Sequence, residues 1–107
     1  EGLSNQTVFI KPNYNTGDPA PAATDTALLE TLVQEMQQAK AKSITIGDRS
    51  GMAQTRQAMT TKGVFQLADK YGLKALVFDE LGRADWQYFA AGQTHWSKGF
   101  AIARPVL

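Results

Sequence analysis

The sequence predicts an α/β domain built on a central, mostly parallel sheet of three to four strands, with helices packed on it in three layers. Three observations carry this. Short apolar, partly β-branched runs at residues 7–11, 43–47 and 73–79 have the length and composition of buried strands. Between them lie stretches whose apolar residues recur at spacings of three and four, as on the buried stripe of a helix. The resulting order, strand, helix, strand, helix, strand, is the one that right-handed crossovers turn into parallel neighbours.

The first strand, Thr7-Val8-Phe9-Ile10-Lys11, ends where Pro12 removes a backbone donor. Residues 12–24 then form a long loop rich in turn formers: Asn13, Asn15, Gly17, Asp18, Pro19 and Pro21. From 25 to 42 the pattern is helical, with Thr24 or Asp25 as the cap. Leu28, Leu29, Leu32, Val33, Met36 and Ala39 form the apolar stripe, and Glu30, Gln34, Glu35, Gln38 and Lys42 lie opposite. The second strand, Ser43-Ile44-Thr45-Ile46-Gly47, opens into Asp48-Arg49-Ser50-Gly51 and a weaker helix over 52–62 that Gly63 stops. A helix with Val64, Leu67, Ala68 and Tyr71 inward follows, closed by Gly72 in a left-handed conformation. The third strand runs to Asp79. Residues 80–97 hold Trp86, Tyr88, Phe89, His95 and Trp96 without a sustained period, and a final strand is expected at 99–104. This arrangement is half of a Rossmann-like sheet, and residues 1–107 read as a single domain.

Composition narrows the function classes. At 107 residues and 43% hydrophobic content the chain supports one modest core. Eleven basic and ten acidic residues, giving a net charge of +1, are spread without a block of like sign, which argues against a nucleic-acid or anionic-membrane surface. No apolar run approaches the roughly 20 residues that a membrane span needs. With no cysteine, the chain supplies no iron–sulfur or thiolate zinc ligand and no disulfide, and either a cytoplasmic or an exported setting is compatible. The chain opens at Glu1 and closes on the apolar Val106-Leu107 without a turn or polar cap, which reads as a chain cut at both ends, with self-association through residues 100–107 as a corollary.

Parallel strands would bring Lys11, Gly47-Asp48 and Asp79-Glu80 to one sheet edge, where open α/β sheets bind ligands. Two opposite chemistries suit that edge. Asp48, Asp79 and Glu80, with the Asn13 carbonyl, offer oxygen ligands to a hard divalent cation. Lys11, Arg49 and the backbone donors of Ser50-Gly51 offer a phosphate or carboxylate site. Each group also has a plainer role: Asp48 or Ser50 as a helix cap, Lys11 and Arg49 as solvated cations, the aromatics as cover for the core. Gly47 to Gly51 lacks the Gly-Lys-Ser/Thr ending of a phosphate loop, and Ser50 lacks a Gly-x-Ser-x-Gly elbow. His95 stands without an identified partner.

Val8-Phe9-Ile10-Lys11-Pro12-Asn13, Ala23-Thr24, Ile44-Thr45-Ile46-Gly47-Asp48-Arg49-Ser50-Gly51, Thr55, Lys62-Gly63-Val64 and Leu67-Ala68 together resemble the N-terminal part of the DUF362 proteins, a domain family of unknown function. The resemblance runs over most of the chain. It implies a bacterial or archaeal domain of which this chain is the first half, in some members joined to iron–sulfur modules, and it carries Lys11, Asn13, Thr24, Asp48 and Ser50 as ligand-binding candidates. The metal candidates Asp48 and Asp79 rest on strand-end placement. The expected function is a half-site for a small anionic ligand or a divalent metal. The alternative is a non-catalytic scaffold whose loops and aromatic cluster bind a partner.

Overall fold

The computed structural model describes residues 2–92 and 95–107. Its elements are β1 (Thr7–Ile10), α1 (Thr26–Gln38), β2 (Ser43–Asp48), α2 (Thr55–Thr61), α3 (Val64–Tyr71), β3 (Lys74–Val77), β4 (Trp86–Phe89) and β5 (Phe100–Ala103). Short 3-10 turns occupy Phe78–Glu80, Arg83–Asp85 and Arg104–Val106. β1, β2 and β3 form a parallel sheet in that order, so the fold is mixed α/β, as the alternating pattern predicts.

Register decides which side chains share a face. Val8 lies beside Ile44, Ile10 beside Ile46, Ile46 beside Ala75, and Asp48 beside Val77. The apolar members of this set join Leu29 and Val33 of α1, Ala58 and Met59 of α2, and Val64 and Leu67 of α3 in one core, closed at the top by Tyr14 and Ala23 from the 12–24 loop. All three helices therefore contribute to the core on one face of the sheet. Sequential strand order with right-handed crossovers leads to that outcome.

The stripe of α1 is narrower than its sequence suggests. Asp25 caps the helix by accepting from Leu28 N at 3.0 Å, and Leu29 and Val33 are buried. Leu28, however, is 65% exposed, and Leu32 is exposed as well. The cause lies on the supposed solvent face. Glu30 accepts from Lys70 Nζ and Tyr71 Oη at 2.6 Å each, Gln34 Nε2 donates to Tyr71 Oη at 2.7 Å, and Gln37 Nε2 donates to the Tyr71 carbonyl at 2.8 Å. These bonds to α3 hold α1 at a rotation that turns Leu28 and Leu32 outward. At the other end of α3, Gly72 adopts φ +67°, which a side chain would oppose, and its N–H closes the helix on the Ala68 carbonyl.

Residues 100–103 form a strand as expected, but not a fourth strand of the central sheet. β5 pairs antiparallel with β4, Trp86 opposite Ala103 and Phe89 opposite Phe100, in a separate hairpin. β4 went unseen in the sequence because its four residues carry no alternation and its partner is remote. The hairpin meets the second face of the parallel sheet through aromatic rings. Trp86 sits edge-on to Phe78 at 6.1 Å, and Phe78 lies 5.8 Å from Phe9. Gly47 makes that approach possible, since a Cβ there would stand 2.7 Å from both Phe9 Cζ and Phe78 Cε1. Among the described residues, no helix is long and apolar enough to cross a membrane.

Candidate functional site

The carboxyl ends of the three parallel strands carry a dense polar network. Asp48, the last residue of β2, points to the helix side of the sheet and is only 1% exposed. An ionised carboxylate so placed needs compensation. β1, the neighbouring strand, provides it just past its own end: Lys11 Nζ lies 2.6 Å from Asp48 Oδ1. Pro12 turns the chain, and Tyr14 N donates to Asp48 Oδ2 at 2.8 Å. The ammonium is out of line for a directed hydrogen bond to Oδ1, so that contact is ionic. The Lys11 side chain is 60% exposed and also donates to the Pro12 carbonyl at 3.3 Å. An ammonium has three donors, so this one is held by a buried anion while part of its hydrogen-bonding capacity faces water.

Tyr14 is fully buried, and its hydroxyl has no hydrogen-bond partner among the described residues. Burial first, and the nearby Asp48 charge second, push its pKa up from 10.0 to about 12. The phenol is neutral at any physiological pH.

The turn after β2 is stitched from within. Ser50 N donates to Thr55 Oγ1 at 2.9 Å, and Gly51 N to Asn15 Oδ1 at 2.9 Å. Met52 N and Ala53 N both donate to Ser50 Oγ, at 3.2 and 2.8 Å, while the Ser50 hydroxyl donates to the Asn15 carbonyl at 3.3 Å. The backbone donors that the sequence offered to a phosphate at Ser50-Gly51 are thus consumed by Thr55 and Asn15, and those of Met52 and Ala53 by Ser50 Oγ. Ser50 serves as the staple of its own turn.

Two more ion pairs continue the edge. Arg49 Nε donates to Asp79 Oδ1 at 3.0 Å, and Thr55 Oγ1 donates to Asp79 Oδ2. Arg56 grips Glu80 through two bonds of 2.5 and 2.6 Å, which hold the Glu80 carboxyl below its ordinary range. Asp79 and Glu80 stand in the turn after β3 rather than on the strand.

Of the five ligand-binding candidates, Lys11 and Asp48 are in direct contact. Asn13 and Thr24 meet each other: Asn13 N donates to Thr24 Oγ1 at 2.8 Å, and Thr24 N to the Asn13 carbonyl at 2.9 Å, closing the long loop at its base. Ser50 bonds instead to Asn15, farther along the same loop. The metal candidates are differently placed, since Asp48 faces Lys11 and Tyr14, and Asp79 faces Arg49 and Thr55. Among the described residues there is no group of three or more His, Cys, Asp or Glu side chains able to hold a metal ion. His95 is exposed and belongs to no such group. Sequence reasoning missed Tyr14, Asn15 and Thr55. An aromatic residue enclosed by two asparagines in a turn-rich loop was the available signal for the first two.

The loops after β1 and β2 also enclose an open cleft of about 460 Å³, lined by Asn15, Thr16, Asp18, Ala22, Met52 and Ala53. That volume falls within the range of small-molecule sites.

These loops and the strands beneath them fall inside a family match. Residues 8–107 match the sequence profile of "Domain of unknown function (DUF362)". The chain belongs to the DUF362 family. The matched span begins in β1 and runs through the hairpin, so the strand-end network and the aromatic hairpin are both parts of the DUF362 domain. Comparison with curated proteins gives no match, and comparison with solved structures gives none.

Proposed function

We propose that this DUF362 domain binds a small anionic ligand, a carboxylate or a phosphate, at the carboxyl edge of its parallel sheet. Lys11 makes the primary contact, and Asn13 and Arg49, from the turns after β1 and β2, are the supporting groups. The observation that carries the reading is the buried Asp48 carboxylate fixing an exposed ammonium. A protein spends a buried charge where a group must be held in one orientation, and here that group keeps donors directed at solvent. Arg49 commits only Nε to Asp79, which leaves its terminal nitrogens for the same ligand. The geometry favours an anion over a divalent cation, because each carboxylate of the edge already holds a protein cation.

Isothermal titration with inorganic phosphate and with succinate tests this. Saturable heat is expected for the native chain, and a loss of at least tenfold in affinity for Lys11→Met/Asp48→Asn, a pair of changes that leaves no buried charge unpaired. Equal binding by the double variant would refute the role of Lys11.

A second reading, a scaffold that binds a partner protein or another copy, is favoured by the hairpin, whose Tyr88, Phe89, Trp96 and Phe100 are exposed. We further propose that the same hairpin, through Trp86 against Phe78, covers the second sheet face as a third layer, in the place that helices take in a Rossmann-like arrangement. Sedimentation equilibrium of the native chain against Phe89→Ser/Phe100→Ser distinguishes this reading, which requires association that the substitutions abolish.

A further inference from the structure

We infer that the cleft between the loop after β1 and the turn after β2 is a second binding site, and that it takes a primary ammonium adjacent to a carbonyl on a short apolar body, the chemistry of a peptide amino terminus. This site is separate from the Lys11 site and does not depend on it.

Three features of the lining specify that ligand. Asp18 carries a carboxylate whose Oδ2 accepts from the Thr16 hydroxyl, and Asp18 enters none of the ion pairs among the described residues. Lys62 reaches the same residue, but its Nζ donates to the Asp18 backbone carbonyl at 3.2 Å and forms no ion pair with the carboxylate. The acidic group therefore keeps an oxygen for an incoming cation. Asn15 supplies the complementary donor. Its Oδ1 is fixed by Gly51 N at 2.9 Å, which settles the orientation of the amide, and its Nδ2 hydrogens serve no hydrogen bond among the described residues. A carbonyl oxygen one bond beyond an ammonium-bearing carbon suits that donor.

The third feature is apolar. Met52 is 90% exposed at the tip of the 50–53 turn and lines the cleft with Ala22 and Ala53. An unbranched thioether in that position conforms to varied apolar side chains. Both walls are preorganised by the same residue, because Asn15 accepts from Gly51 N through its side chain and from the Ser50 hydroxyl through its carbonyl. Little ordering is left to be done on binding. The backbone N–H groups of residues 50–53 are satisfied by Thr55, Asn15 and Ser50, so none of them competes with the ligand's ammonium for the Asp18 carboxylate.

The test is a methyl and amide shift titration of the intact chain with L-leucinamide, using N-acetyl-L-leucinamide as the probe that lacks the ammonium. Leucinamide is expected to shift the Met52 methyl and the Asn15 side-chain amide saturably. The acetylated probe should bind at least tenfold more weakly, and Asp18→Asn, which still accepts from Thr16, should weaken leucinamide by a similar factor. Equal responses to the two probes, an unchanged affinity in Asp18→Asn, or no saturable shift with leucinamide would each overturn the inference. Phosphate titration reads Lys11 and Arg49 instead, so the two sites fail or succeed separately.

Discussion

Replacing Lys11 by Met removes, among the described residues, the only cation in ion-pair contact with Asp48 and leaves the carboxylate 1% exposed with a single hydrogen bond among them, from Tyr14 N. Breaking a fully buried pair in this way costs about 3–5 kcal/mol. Here the Lys11 side chain is 60% exposed and its half of the pair is hydrated, so the loss is discounted to roughly 2 kcal/mol. For a domain of this size that lowers Tm by about 10 °C. Asp48→Asn is the informative contrast. The amide carbonyl still accepts from Tyr14 N and Lys11 returns to water, so the cost is about 1 kcal/mol or less. The double variant should be more stable than Lys11→Met alone, because the second change removes the stranded charge. Urea unfolding of the three variants, with unchanged m-values, measures this directly. The reasoning fails if Lys11→Met loses under about 0.5 kcal/mol, or if Asp48→Asn proves the more damaging of the two.

Gly47→Ala should destabilise by about 1–3 kcal/mol, because its Cβ would sit 2.7 Å from two aromatic rings; thermal unfolding checks it, and a neutral result would mean that Phe9 and Phe78 shift freely. Tyr14→Phe should be neutral or stabilising by up to about 1 kcal/mol at pH 7, since the lost hydroxyl is buried without a partner among the described residues. In the native chain the Tyr14 phenol is raised from 10.0 to about 12, so its ionisation costs nothing below pH 10.0 and stability falls as the pH rises from 10.0 to about 12; Tyr14→Phe should flatten that part of a stability-versus-pH curve. The hydrogen bond from Lys70, then that from Tyr71, lowers the Glu30 pKa below 4.5. This contribution is present above 4.5 and lost as the pH falls through the lower folded value, and Glu30→Gln should remove that acid-side dependence in the same measurement.

Much of the sheet was legible because its signals are local. Pro12 ends β1, Gly47 and Asp48 end β2, and Gly72 closes α3 in the left-handed conformation that its position predicted. The rotation of α1 was not legible, since it is set by Glu30, Gln34 and Gln37 meeting Tyr71 and Lys70 across more than thirty residues of sequence. The hairpin was half legible: β5 has the composition of a strand, but nothing in Trp86-Gln87-Tyr88-Phe89 names its partner. At the edge, Lys11 and Asp48 were identified as carriers of opposite chemistries. Only the adjacency of β1 and β2 turns them into one unit, in which the carboxylate orients the ammonium. Ser50 was identified for donors that its own turn consumes.

The most direct test of anion binding at the sheet edge is an amide shift titration of the native chain with inorganic phosphate. Saturable shifts at Lys11, Asn13 and Arg49, with the β4–β5 hairpin unmoved, are the predicted result. Shifts that never saturate, or that appear only in the hairpin, would contradict the account.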